Sequence, residues 1–173
     1  MIASNNRNVP GRPWTLRAFA LILAFFAMSY TDNARAQEIT HTFDDWSIAC
    51  QANQAGQQEC LMFQDIAAAD SEQSIMRLTV IKAPRTILII TTPLGVMLPP
   101  GLVVTIDQQE VSRMNYQICI EPGCQSQTEL TPELVQRLKG GVAATVTVVG
   151  PNGQPIAVPV SLKGFTAAYD TLT

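Results

Sequence analysis

The sequence predicts an all-β sandwich with one short helix and two local disulfides, formed by residues 37–173 once a leader has been removed. Three observations carry this expectation. About seven or eight short apolar runs follow one another at regular spacing with turn signals between them. A single segment combines a capping residue, a proline and an acidic first turn in the manner of a helix start. All four cysteines lie downstream of the leader. The same strands closed into a barrel are the alternative architecture.

The leader is read from its three parts. Arg7, Arg12 and Arg17 supply a positive head, Ala18 to Met28 an uninterrupted apolar middle, and Ala34-Arg35-Ala36 the small-residue exit that signal peptidase cuts after. A membrane-spanning helix needs about 20 apolar residues to cross about 30 Å of hydrocarbon. The apolar block is roughly half that length, so residues 1–36 are expected to be a cleaved secretory signal peptide and not an anchor. No cysteine follows the block closely enough to carry a lipid. What remains suits one domain, periplasmic or secreted and possibly associated with the outer membrane, with no integral span.

Cleavage also changes the charge. The chain has 11 basic and 14 acidic side chains, and the leader holds four of the first (Arg7, Arg12, Arg17, Arg35) and one of the second (Asp32). The remainder has 7 basic and 13 acidic groups, a formal net charge of −6. No basic patch survives to neutralise phosphates, which excludes nucleic acid as an expected partner. Adsorption to anionic lipid by charge is disfavoured for the same reason.

Cys50, Cys60, Cys119 and Cys124 form an even set in an exported chain, which reads as a disulfide framework with three possible connectivities. The local pairing, Cys50 with Cys60 and Cys119 with Cys124, is expected. Cys119-Ile-Glu-Pro-Gly-Cys124 places Pro122-Gly123 in the chemistry of a chain reversal, which sets its two cysteines opposite each other. Zinc is a poor fit, since Cys-x4-Cys and Cys-x9-Cys with a single distant histidine lack tight ligand pairs. A thiol redox site is a poor fit as well, because no Cys-x-x-Cys occurs.

The elements follow in order. Thr42 to Cys50 alternates at Trp46, Ile48 and Cys50 as a half-buried strand, and polar Gln51 to Glu59 is the loop that the first disulfide closes. Cys60 to Gln64 returns, Ala67 to Ser74 is a loop, and Ser74 to Ile81 alternates again. Thr86 to Thr92 is apolar on both faces, as a central strand is, and Pro84 and Pro93 bracket it. Leu94 to Gly101 is a loop, Leu102 to Ile106 a strand, Asp107 to Glu110 a polar turn, and Tyr116 to Ile120 runs into the disulfide hairpin. Thr131 caps the helix, Pro132 opens it, Leu134, Val135 and Leu138 form its apolar side, and Gly140-Gly141 ends it. Val142 to Val149 and Gln154 to Leu162 are strands joined by a turn with the hairpin signal Asn152-Gly153. The tail Gly164 to Leu172 is compatible with a short helix carrying Phe165, Ala168 and Leu172 on one face.

Catalytic constellations are missing from the sequence. His41 is the only histidine and lies near the expected mature terminus, where chains are loosely held. No G-x-S-x-G elbow, P-loop or G-x-G-x-x-G is present. Asp44 and Asp45 are neighbours, and on a strand they point to opposite faces, so they cannot share a proton as a dyad does. No cofactor, no metal and no catalytic residue are expected. The one segment with a recognition reading is the apolar loop around Leu94, Val96, Met97 and Leu98, which either docks on a partner or caps the end of the core.

Several motifs together resemble the invasion-associated locus B family. They are Phe43-x-x-Trp46-x-x-x-Cys50 followed by Cys60, Leu98-Pro-x-Gly101 with Ile106-Asp107, Cys119-x-x-x-Gly123-Cys124, and Val160-Ser-Leu-Lys-Gly-Phe165. The resemblance spans nearly all of residues 37–173. It implies an exported alphaproteobacterial protein with an immunoglobulin-like β-sandwich and no established enzymatic mechanism, whose founding relative is linked to entry into host red cells. The family pattern carries over only the four cysteines and a structural Trp46.

The expected function is therefore that of an exported, non-enzymatic envelope module that binds a protein partner, in the envelope or on a host cell, with its oligomeric state open. A structural or chaperone-like component that pairs by a sheet edge is the alternative. A hydrolase with an unrecognised site is the third, and full function in a His41→Ala variant excludes its histidine-dependent form.

Overall fold

A computed structural model describes residues 38–68, 73–82 and 84–172. The expected leader, residues 1–36, lies outside the described residues. Two antiparallel sheets face each other as a sandwich. The larger holds β1 (Glu38–Phe43), β2 (Trp46–Ala52), β3 (Gln58–Ala67), β4 (Ser74–Ile81), β5 (Ile87–Thr92), β8 (Tyr116–Ile120) and β9 (Gly123–Glu129), in the order β1-β2-β3-β4-β5-β9-β8. The smaller holds β6 (Leu102–Ile106), β7 (Gln109–Met114), β10 (Ala143–Val149) and β11 (Pro155–Ser161), in the order β11-β10-β6-β7. Helices α1 (Pro132–Gly140) and α2 (Phe165–Thr171) complete the described residues.

The core lies between the sheets and is built by alternation. In the larger sheet one cross-strand row, Gln64, Leu78, Ile90, Ser126 and Tyr116, points inward. The adjacent row, Asp65, Arg77, Thr91, Gln125 and Ile118, points outward. Leu102, Val104, Val146, Val148, Val158 and Val160 answer from the smaller sheet, all buried. Trp46 is 1% exposed and meets Phe165 of α2 edge-on at 5.1 Å between ring centroids.

Buried polar groups join the two layers at one place. Gln64, on β3, donates from Nε2 to the Ser161 carbonyl (3.0 Å) and to the Asp45 carbonyl (3.3 Å). Its Oε1 accepts from the Ser161 backbone N–H at 3.1 Å. Trp46 Nε1 donates to the same Ser161 carbonyl at 3.0 Å. A side-chain amide and an indole thus extend the ladder of β11 onto the opposite sheet, as buried polar groups must be satisfied. Close by, Gly164 has a φ of +81° and runs so near β1 that a Cβ would sit 1.8 Å from the Phe43 carbonyl oxygen, so no other residue fits.

The sandwich expectation holds, with four differences in detail. The strand expected from Thr42 to Cys50 is two strands, because Asp44 takes a φ of +49° and with Asp45 makes the turn between β1 and β2. Aspartate tolerates that conformation better than most residues. The turn expected over residues 107–110 is shorter: Asp107 (φ +48°) and Gln108 (φ +66°) form it alone. Polar β7, which has little alternation to reveal it, begins at Gln109. β9 likewise buries Cys124 and Ser126 in place of aliphatic residues, which hides its strand period. The tail forms α2 with Phe165, Ala168 and Leu172 buried, so the described residues contain two helices where the fold class named one.

Candidate functional site

The expected disulfides are both present. Cys50 bonds Cys60 across β2 and β3, where the two are register partners, and Cys119 bonds Cys124 across β8 and β9, also as register partners. Each clasps one hairpin within the larger sheet. The loop inside the first is narrower than expected: only Asn53 to Gln57 lie between the strands, and Asn53 Oδ1 accepts from the Ala55 and Gln57 backbone N–H groups at 2.9 Å each. At the second, the reversal lies at Glu121-Pro122, joined by a cis peptide bond, and Gly123 already belongs to β9. A Cβ on Gly123 would come 2.1 Å from the Thr92 carbonyl oxygen, so glycine lets β5 and the hairpin close up.

The apolar loop between β5 and β6 divides its side chains between the core and the surface. Val96 is half-buried and packs on the core. Leu94, Met97 and Leu98 are exposed, at 53%, 40% and 45%. Backbone bonds hold the loop in place: the Met97 N–H donates to the Val149 carbonyl at 2.8 Å, and the Gly101 N–H to the Leu98 carbonyl at 3.0 Å. Gly95 and Gly101 supply the positive φ angles, +99° and +67°, that the path requires. Three greasy side chains are therefore presented on a pinned backbone.

Leu94 borders a groove of about 880 Å³ on the outward face of the larger sheet. Thr79, Ile89, Thr91 and Gln125 line it together with Glu121, Pro122 and the Asp65–Arg77 pair. Arg77 grips Asp65 with two nitrogens, Nε to Oδ1 and Nη2 to Oδ2, both at 2.6 Å, and lies 4.7 Å over the Phe63 ring. Those hydrogen bonds raise the Arg77 pKa above its ordinary value, outweighing the cost of partial burial. With its one cation paired to Asp65, the groove offers amides, hydroxyls, methyl groups and the Glu121 carboxylate.

The remaining titratable side chains do not converge on it. His41 is exposed on β1 and stacks loosely on Phe43 at 6.2 Å. Tyr116 has its pKa raised by burial, partly offset by its hydrogen bond with Thr92 Oγ1 at 3.4 Å. Among the described residues no three His, Cys, Asp or Glu side chains gather as a metal would need. None of the helices there is long and apolar enough to cross a membrane.

Sequence reasoning missed two features. Gln64 reads as the polar end of a strand, and nothing local marks it as the link between sheets. Ile118 and Ile120, 48% and 54% exposed, lie on β8, one of the two outermost strands of the larger sheet. The available signal was the composition of Tyr116-Gln-Ile-Cys-Ile120, a strand without charge or proline.

The chain is 28% identical over 171 residues to an invasion protein B homologue of Brucella abortus (strain 2308), covering 96% of each chain. It stands in the same relation to the homologue of Brucella abortus biovar 1 (strain 9-941). The crystal structure of invasion associated protein B from Bartonella henselae superimposes with a TM-score of 0.70 at 20% identity, covering 78% of this chain and 95% of that one. The fold is therefore shared. The model of the invasion associated locus B proteins matches residues 46–173, from the buried Trp46 through both disulfides to the last helix, and the chain belongs to that family.

Proposed function

We propose that this protein is an exported, non-enzymatic binding module whose leader is cut after Ala36 and whose residues 37–173 act as one domain. It docks a protein partner through Leu94, Met97 and Leu98. One observation carries the proposal: these apolar side chains stand exposed on a loop that Val96 and two backbone hydrogen bonds hold still. An exposed apolar surface on a rigid backbone loses little conformational freedom on binding, which is the condition for tight docking. The disulfides support a compartment outside the cytoplasm. That the Brucella relatives are named invasion proteins supports a host cell as one location of the partner, with the bacterial envelope as the other.

The test is crosslinking followed by mass spectrometry on fractionated cells, with the wild-type chain and a Leu94→Ser/Leu98→Ser variant. Loss of a specific crosslinked partner in the variant, with the melting temperature kept, is the expected result. A partner retained in full refutes the loop as the docking site. Sheet-edge pairing is the second reading, and the exposed, uncharged β8 favours it.

A further inference from the structure

We propose that β8 is a self-association edge, through which two copies of this chain pair antiparallel about a two-fold axis near Cys119. Among the described residues the two sheets end in four strands: β1 and β8 in the larger, β7 and β11 in the smaller. An outermost strand leaves a row of backbone N–H and C=O groups free, and proteins protect such rows with proline, charge, bulges or a covering element.

Three of the four edges carry that protection. β11 has Pro155 and Pro159, neither of which can donate to a neighbour. β7 has Glu110 and Arg113, paired with each other at 3.1 Å, and Arg137 of α1 reaches across to Gln109 at 3.4 Å. β1 has Glu38 and a register shift between Ile39 and His41, and its end is locked against α2 at Gly164. β8 has neither charge nor proline, and its register shift, between Tyr116 and Ile118, lies before its exposed half. Ile118 and Ile120 stand there on one face.

The same stretch is self-complementary. With the axis at Cys119, Ile118 of one copy lies opposite Ile120 of the other, and the pair occurs twice. Gln117 then faces Glu121, so no like charges meet. Side chains directly opposite each other in an antiparallel pair have Cβ atoms about 4.5–5.5 Å apart, close enough for β-branched isoleucines to pack together. The outward rows of both copies would then run on as one sheet, with the two grooves flanking the seam. A five-residue edge buries less than the about 1,200 Å² of a small stable interface, so the dimer is concentration-dependent. This inference is independent of the loop's docking role: either can fail while the other stands.

Sedimentation velocity on the oxidised protein over a hundredfold range of concentration tests it. A reversible monomer–dimer equilibrium is expected. Ile118→Lys and Ile120→Lys should each weaken it at least tenfold. Ile156→Lys, a control at an equally exposed position on β11, should not. Mixing an Ile118→Lys chain with an Ile120→Glu chain should restore association, because the axis places those two positions opposite each other. Thermal melts of each variant establish that the fold is kept, as substitutions at half-exposed positions allow. A monomer at every concentration overturns the proposal, as does a dimer indifferent to both β8 lysines. Mixed chains that fail to associate overturn the two-fold register.

Discussion

Gln64→Glu is the substitution that tests the link between the sheets most directly, because it changes one atom and keeps the shape. Gln64 is 4% exposed and makes two donated and one accepted hydrogen bond to Ser161 and Asp45. An ionised glutamate keeps the bond from the Ser161 N–H, but turns its other oxygen toward two carbonyl oxygens. Two donated bonds are lost at about 1 kcal/mol each, and a buried charge without a cation adds roughly 1–3 kcal/mol more. The expected loss at neutral pH is about 3–5 kcal/mol, or roughly 10 °C or more in melting temperature for a domain of this size. Protonation puts back one donor, so the folded protein holds that carboxyl's pKa above the unfolded value of about 4.3. The protonated form's stabilisation is then complete below the unfolded pKa and is lost as pH rises through the folded one. The deficit relative to wild type should therefore be smallest near pH 4 and largest at pH 7. Gln64→Met should cost about 1–3 kcal/mol without that pH dependence, since the Ser161 carbonyl keeps Trp46 Nε1. Denaturant unfolding of the oxidised proteins at several pH values reads both. A glutamate variant as stable as wild type at pH 7, or a deficit that grows on acidification, would refute the reasoning.

Three further outcomes follow from other parts of the fold. Gly164→Ala combines a φ of +81° with a Cβ 1.8 Å from the Phe43 oxygen; it should lower stability by at least about 2 kcal/mol, measured by thermal melting. Reduction of both disulfides should lower the melting temperature, since chain-entropy estimates assign about 3 kcal/mol to the Cys50–Cys60 loop and about 2 kcal/mol to the Cys119–Cys124 loop; identical melts with and without strong reductant would contradict this. Glu133, in the first turn of α1, has its pKa lowered by hydrogen bonds from its own backbone N–H and from Thr131. The stabilisation it lends is present above the unfolded pKa and lost as pH falls through the folded one, so Glu133→Gln should flatten the acid side of the stability profile, read by unfolding between pH 2 and 6.

Legibility tracked how local each physical signal was. Alternation at Ser74–Ile81 and Val142–Val149, the Thr131-Pro132 helix start and the Asn152-Gly153 turn depend on neighbours in sequence, and each element stands where it was expected. The strands that escaped notice, β1, β7 and β9, are edge strands or bury polar residues, so their period is not written in hydrophobicity. In the loop, apolar composition marked Leu94 to Leu98 as unusual but could not say which side chains face out. That division depends on a hydrogen bond to Val149, far along the chain.

The sequence by itself determined the β-sandwich class, the two clasped hairpins, the acidic balance and the absence of any familiar catalytic motif, because strand period, turn chemistry and cysteine spacing act over a few residues. Only the tertiary structure decided that Gln64 and Trp46 meet Ser161, some 97 and 115 positions away. It alone decided that β8 ends a sheet with isoleucines exposed. Which strand lies outermost is a property of pairing between distant segments, and hydrophobic burial sets that pairing for the whole chain at once.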